Sequence, residues 1–267
     1  MDSDAAVVAD LHVHTTASDG QLTLDEVPVA ARKAGLSTVA VTDHDRVHPG
    51  LDAPVTTRGG ITVVRGIELR VDAGPERVDL LGYGVERTDA LDAEIERLQR
   101  DRVERARRIV ARVEGRLDVD LDLEVHDGVG RPHVARAVEE SEADCGYQEA
   151  FDRLIGDDGP CYVAREIPTF ERGASLLADA CALVSLAHPF RYDDPEAALG
   201  LTATLDGVER YYPYERPVDP TPIDRAIDRY DLVATGGSDA HDATLGRAGL
   251  DESASEAVLS KLPKAQA

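Results

Sequence analysis

The chain has no tryptophan, three phenylalanines and only 4 % aromatic residues, so an aromatic-rich surface for stacking RNA bases is not indicated. Lysine is nearly missing: Lys33, Lys261 and Lys264 stand beside 26 arginines. Cys145, Cys161 and Cys181 are odd in number, scattered and free of CxxC spacing. That excludes a disulfide framework and a thiolate zinc site and fits a reducing compartment. No apolar run approaches the roughly 20 residues that span a bilayer. The first residues, MDSDAAVVADLHVH, lack both a basic stretch and a long apolar segment. A signal peptide is therefore not expected, and a cytoplasmic location is.

What the chain does have is acid. Across 267 residues, 52 acidic side chains face 29 basic ones, giving a net charge of −23 and a pI near 4.6. Such a surface repels nucleic acid and anionic lipid unless metal ions or a local basic patch intervene. High acidity with little lysine reads as halophilic adaptation and carries no information about chemistry. At 42 % hydrophobic the chain can build a core, and its length allows one large domain or two ordinary ones.

Four apolar runs, VVADLHVH, STVAVTDHD, ITVVRGIEL and VDLLGYGV, read as strands buried on both faces, hence as a parallel sheet covered by helices. Thr23 and Glu26 suggest a capping box for the first helix, with Gly35 as its stop. From about 88 to 165 the period changes: Leu91, Ile95, Leu98, Ala106, Ile109 and Val113 recur at helical spacing, and RPHVARAVEE and YQEAFDRLIG follow. Strand and helix runs then resume with LLADACA, LVSLAHP, GVERYY, PIDRAIDRY, LVATGGSDAH and SEAVLSKL. The expected organisation is a barrel domain at 1–87 and 166–267 and a mostly helical insertion at 88–165.

Polar residues gather where the strands end. His12 and His14 close the first strand on one face; Asp43, His44 and Asp45 close the second and Glu68 the third. His188 follows LVSLA, and Asp239 and His241 follow the last strand. In parallel barrels such ends meet on one rim. Imidazole with carboxylate, without thiolate, suits Zn, Mn or Fe(II), with Mg at oxygen-rich positions.

Each motif has a plain structural alternative. Asp19 in ASDG fits a turn, Asp43 and Asp45 fit helix caps and are left outside the ligand set, and Asp239 fits an N-cap. His48 and His126 read as surface histidines.

The ordered set DLHVHTTASDG, TDHD, GIE, GRPH, AHP and GSDAH resembles the PHP (polymerase and histidinol phosphatase) superfamily. GRPH followed by AHPF resembles its branch of 3′,5′-nucleotide bisphosphate phosphatases and 5′→3′ exoribonucleases. The resemblance implies a distorted (β/α)7 barrel and two or three divalent ions, manganese first, with zinc, iron and magnesium as alternatives. His12, His14, Glu68 and Asp239 would hold one ion; Glu68, His133 and His188 a second; Asp19, His44 and His241 a third. Glu68, Asp239 and His241 would be catalytic. The implied activity is hydrolysis of nucleotide bisphosphates or short 5′-phosphorylated oligonucleotides by metal-activated hydroxide.

Arginine is the natural phosphate clamp, and Arg136 and Arg191 are the candidates. The run Arg97–Arg112 reads as a solvated helix laced with i,i+4 pairs. Tyr211, Tyr212 and Tyr214 read either as base-stacking residues or as packing at the barrel edge. Histidinol-phosphate phosphatase, a polymerase-associated nuclease and a non-enzymatic metal-bound scaffold are the alternatives. The expected partner is a small phosphorylated molecule or short RNA, with no membrane and no obligatory protein partner.

Overall fold

The computed structural model describes residues 6–265. It divides into two compact units, one formed by the chain up to Asp92 and from Ile167 onward, the other by Ala93–Glu166.

The first unit is mixed α/β. Its strands are β1 (Ala9–Val13), β2 (Thr38–Val41), β3 (Val55–Arg58), β4 (Ile61–Asp72), β5 (Arg77–Tyr83), β6 (Leu183–Leu186), β7 (Gly207–Tyr211) and β8 (Val233–Gly236). They form one curled sheet in the order β1-β2-β4-β5-β6-β7-β8, with β3 paired to β4 at the side. An isolated parallel bridge from Val13 to Ala240 brings the loop after β8 back to β1. Helices α1 (Val27–Lys33), α5 (Phe170–Ala180), α6 (Pro195–Leu201), α7 (Thr221–Tyr230) and α8 (Glu252–Leu259) belong to the same unit, with α2 to α4 defined below. Two apolar clusters lie under them: one packs Val27 and Ala31 of α1 against Val39, Val41 and Val63, the other packs Leu11, Leu81, Tyr83 and Leu183 with Val258 of α8.

The sheet departs from an all-parallel one. β5 runs antiparallel to both β4 and β6, while β1–β2, β2–β4, β6–β7 and β7–β8 are parallel. Apolar runs report burial on both faces, and burial says nothing of direction. The turn chemistry does: residues 73–76, AGPE, join β4 to β5 with Gly74 at φ +93. Gly59 and Gly60, at φ +55 and +82, make the two-residue turn that pairs β3 with β4. At α1, Glu26 reaches back to the Thr23 N–H at 2.9 Å, but the Thr23 hydroxyl donates to the same carboxylate instead of capping the helix. Gly35, at φ +78, follows the helix end as the sequence suggests.

The second unit is helical: most of α2 (Asp89–Leu117), then α3 (Arg131–Glu140), α4 (Tyr147–Ala150) and a π-helical turn, Phe151–Ile155. Ile109, Val113, Val134, Val138 and Ile155 form its core. Arg97 and Arg100 pair with Glu94 and Glu96, as a solvated helix would have them. Arg102 and Arg105 do not follow that reading. Both are buried, donating to the carbonyls of Val129 and Val163.

Gly237 shows how tightly β8 meets β1. A Cβ there would stand 2.3 Å from the His12 nitrogen and 2.9 Å from Asp10 Oδ1. Gly237→Ala should cost about 1–3 kcal/mol by overpacking. Gly200→Ala, on α6 with nothing within 4 Å, should be neutral or stabilising. Thermal melts of the two variants check this; equal effects would contradict the packing described.

Candidate metal centre

The strand ends of the first unit bring eight of the nine expected ligands together in three adjoining groups: His14, Asp19, His44 and His241; His12, His14 and Asp239; and Glu68, Asp79 and His188. Within each group the donor atoms all lie within 4.8 Å of one another. His12, His14 and Glu68 are almost wholly buried. Glu68 stands at the middle. Its Oε1 is 3.4 Å from His12 Nε2 and 3.2 Å from His188 Nε2; its Oε2 is 3.5 Å from His14 Nε2 and 2.6 Å from His44 Nδ1.

His188 Nε2 hydrogen-bonds Glu68 Oε1, but several of the other donor atoms face each other without bonding. His12 Nε2, His14 Nε2, Asp19 Oδ1 and Asp239 Oδ1 are buried and have no hydrogen-bond partner. Asp239 Oδ1 lies 3.4 Å from His12 Nε2 and 3.1 Å from His14 Nε2, and Asp19 Oδ1 lies 3.3 Å from His241 Nε2. Two ligand atoms each about 2.1 Å from a shared cation stand about 3.0–3.4 Å apart, so the spacing and the orphaned atoms fit divalent ions.

Asp79 was not anticipated. It was hidden because the strand-end rule looks at C-terminal ends, and β5 is reversed. Its register partner is Arg70, so its N-terminal end shares the rim with the C-terminal end of β4. The signal available was one carboxylate inside the apolar run VDLLGYGV. Glu209 in β7 was also missed. It accepts from His12 Nδ1 at 3.0 Å and from the His188 N–H at 2.7 Å. That bond fixes the His12 tautomer and turns the Nε2 lone pair toward Glu68 and Asp239.

Other carboxylates hold the loops. Asp43 accepts from the Thr15 N–H and hydroxyl, both at 2.8 Å, and from the Ser18 hydroxyl at 2.6 Å, which orders the segment before Asp19. Asp10 accepts from the N–H groups of His12, Ser238 and Gly246 and from the Ser238 hydroxyl, tying the loop of Asp239 and His241 to β1. His188 and Asp239 sit at φ +28 and +50, a backbone region that side-chain-bearing residues rarely adopt.

Arg191 reaches the centre. Its Nη1 lies 3.0 Å from Asp239 Oδ2 and 3.1 Å from the Tyr212 hydroxyl, which itself donates to Asp239 at 2.9 Å. His133 and Arg136 stand on α3 in the helical unit, where His133 Nδ1 accepts from the Gly130 N–H at 3.1 Å and the ring meets His126 edge-on. His48 Nδ1 accepts from the Gly50 N–H, and His126 is exposed.

The charges are strongly coupled. Burial works against ionising Asp19, Glu68 and Asp239, yet the facing imidazoles hold all three carboxyls below the ordinary carboxylate range. Burial also opposes charge on His12, but Glu209, Asp239 and Glu68 carry it well above 6.5. Burial opposes charge on His241 too, and Asp19 raises it. His14 goes the other way, lowered by burial and by His241 and His44.

A divalent ion must displace the protons that His12 and His241 retain above pH 6.5. Its affinity should therefore rise as pH climbs above 6.5 through the raised values of these histidines, with proton release. Stability contributed by these raised histidines is full below 6.5 and is lost as pH climbs through their folded values, so the metal-free protein should weaken there and bound cation should restore it. Calorimetry in two buffers of different ionisation enthalpy measures the proton release; a pH-independent affinity would count against this centre.

Known proteins resemble the chain along most of its length. It is 29 % identical over 251 residues to the 3′,5′-nucleoside bisphosphate phosphatase of Chromobacterium violaceum, covering 87 % of this chain and 86 % of that protein. It is 29 % identical over 249 residues to the phosphoribosyl 1,2-cyclic phosphate 1,2-diphosphodiesterase of Eggerthella lenta, covering 88 % and 94 %. The crystal structure of a protein from Bifidobacterium adolescentis has the same fold, with a TM-score of 0.81 at 23 % identity over 97 % of this chain and 98 % of that one. The PHP domain model matches residues 10–156, just over half of the sequence and most of the histidine and carboxylate motifs; the chain belongs to the PHP domain family.

Proposed function

We propose that the chain is a metal-dependent phosphoesterase acting on phosphate esters of nucleotides, 3′,5′-bisphosphates first and short 5′-phosphorylated oligonucleotides next. The observation that carries this reading is the trio of adjoining imidazole–carboxylate groups around Glu68. Both relatives act on esters of ribose phosphates, which supports the substrate class. The finer fold, a distorted (β/α)7 barrel with a helical insertion at 88–165, is part of the same reading.

His12, His14, Asp239 and Glu68 take one ion and Asp19, His44 and His241 another. Asp79 joins Glu68 and His188 for the remaining one, in the place that the resemblance gave to His133, because its carboxylate lies among their donor atoms. Bound cations, manganese first, would supply a Lewis acid and lower the pKa of water.

The chain's own residues supply positioning and charge. Three divalent ions outweigh the Asp19, Glu68, Asp79 and Asp239 carboxylates, so the centre attracts phosphate despite the acidic protein. Arg191 is exposed and held beside Asp239 and Tyr212, where its guanidinium can clamp a phosphoryl oxygen. His241 is the most exposed of the ligating histidines and stands at the edge where the leaving alkoxide gains its proton. Arg136 is assigned to the second phosphate.

Manganese-loaded protein should release phosphate from a 3′,5′-bisphosphate with kcat/KM at least about tenfold above the 5′-monophosphate, or about 1.4 kcal/mol. Arg136→Ala should remove most of that preference at unchanged metal content. No preference in the wild type would favour histidinol phosphate, and no release from any ester would leave the scaffold reading.

Glu68→Gln should lose more activity than Asp19→Asn, because Glu68 touches four imidazoles and Asp19 two. Steady-state rates at saturating manganese decide this, and equal losses would contradict the shared role of Glu68.

A further inference from the structure

Beside the metal centre lies a cavity of about 340 Å³. Its wall includes Phe190, Tyr211, Tyr212 and Tyr214, with Arg210 and Val218. Four aromatic residues in one cavity are a large share for a chain with three Phe and eight Tyr in all, so chance packing is a poor explanation.

The rings are held in place by their polar ends. The Tyr212 hydroxyl is committed to Asp239 and Arg191, and the Tyr214 hydroxyl accepts from the Phe190 N–H at 3.2 Å. Tyr212 and Tyr214 stand 4.7 Å apart between centroids, and Phe190 meets Tyr214 edge-on at 5.5 Å. Arg210 is clamped by Asp224 and lies 5.3 Å from the Tyr211 ring centre. Tyr211 is 40 % exposed, and Val29 is the other large exposed hydrophobic among the described residues. An exposed, braced aromatic at the mouth of a cavity is a surface prepared for a flat partner.

Resting on the phosphoesterase reading, we propose that this cavity seats the nucleobase of a nucleoside phosphate, with Tyr211 and Tyr214 as the stacking residues and Arg210 bracing Tyr211. Tyr212 joins the two sites. It lines the cavity while its hydroxyl touches Asp239, so a nucleoside filling the cavity lies against the residue that borders the centre. Stacking on π-faces tolerates any base, so the subsite selects nucleosides as a class and leaves the identity of the base open. The volume is within the range of small-molecule sites, about 300–1,000 Å³.

The test uses Tyr211→Ala and Val218→Trp, the first removing a stacking wall and the second filling the cavity, neither touching a ligand of the centre. Adenosine, which has no phosphate, is titrated into metal-loaded protein and followed by saturation-transfer NMR. Wild type should bind it, and each variant should bind about tenfold more weakly. In turnover, kcat/KM for the nucleotide should fall by a similar factor while ribose 5-phosphate is unaffected. Absence of adenosine binding by the wild type, or an equal fall for nucleotide and ribose 5-phosphate, overturns the proposal. If the wild type hydrolyses no ester, the phosphoesterase reading fails, and the adenosine titration still decides the cavity.

Discussion

The structure turns on one buried carboxylate. Glu68 is almost inaccessible to water, yet it stays ionised because His12, His14, His44 and His188 surround it. An isolated charge at that depth would be neutralised by protonation. Here the compensation comes from three separate parts of the chain, the end of β1 and the loops after β2 and β6, while the long strand β4 carries the carboxylate itself. Folding the sheet and assembling the centre are therefore one event. Removing any of these histidines leaves a buried charge short of a partner, and a divalent cation bound to the same set would take the place of their protons.

A rigid frame keeps those groups in register. Asp10 and Asp43 each accept several hydrogen bonds from the loops that carry the ligands, and Gly237 lets β8 approach β1 so closely that no side chain fits between. Glu209 orients His12 and the His188 backbone from behind. The strained backbone at His188 and Asp239 persists because this frame over-determines it. Solvent reaches the centre mainly at His44 and His241, the most exposed of its imidazoles.

Much of this could be read in the sequence, for identifiable reasons. Apolar runs with polar ends pointed to His12, His14, His44, Glu68, His188, Asp239 and His241, since burial on both faces leaves the strand tip as the place for polar groups. Asp79 escaped because β5 is reversed: its hairpin is written in AGPE, and hydrophobicity carries no direction. Glu209 escaped because a charge inside a strand looks like a solvent-facing position until its partner His12, 197 residues away in sequence, is placed opposite. Arg102 and Arg105 read as solvated in the sequence because acidic residues stand at i,i+4 spacing, whereas backbone carbonyls claim them. His133 came from resemblance and not from a strand end.

The central claim is that Glu68 is shared by two cations, one with His12, His14 and Asp239 and the other with Asp79 and His188. The most direct measurement is a crystal structure of manganese-loaded protein recorded at the manganese absorption edge. The account predicts anomalous peaks about 2.0–2.3 Å from both Glu68 oxygens, one adjoining His12 and the other adjoining Asp79. A single peak that leaves Glu68 unligated, or a second ion held by His133 with Asp79 turned away, would contradict it.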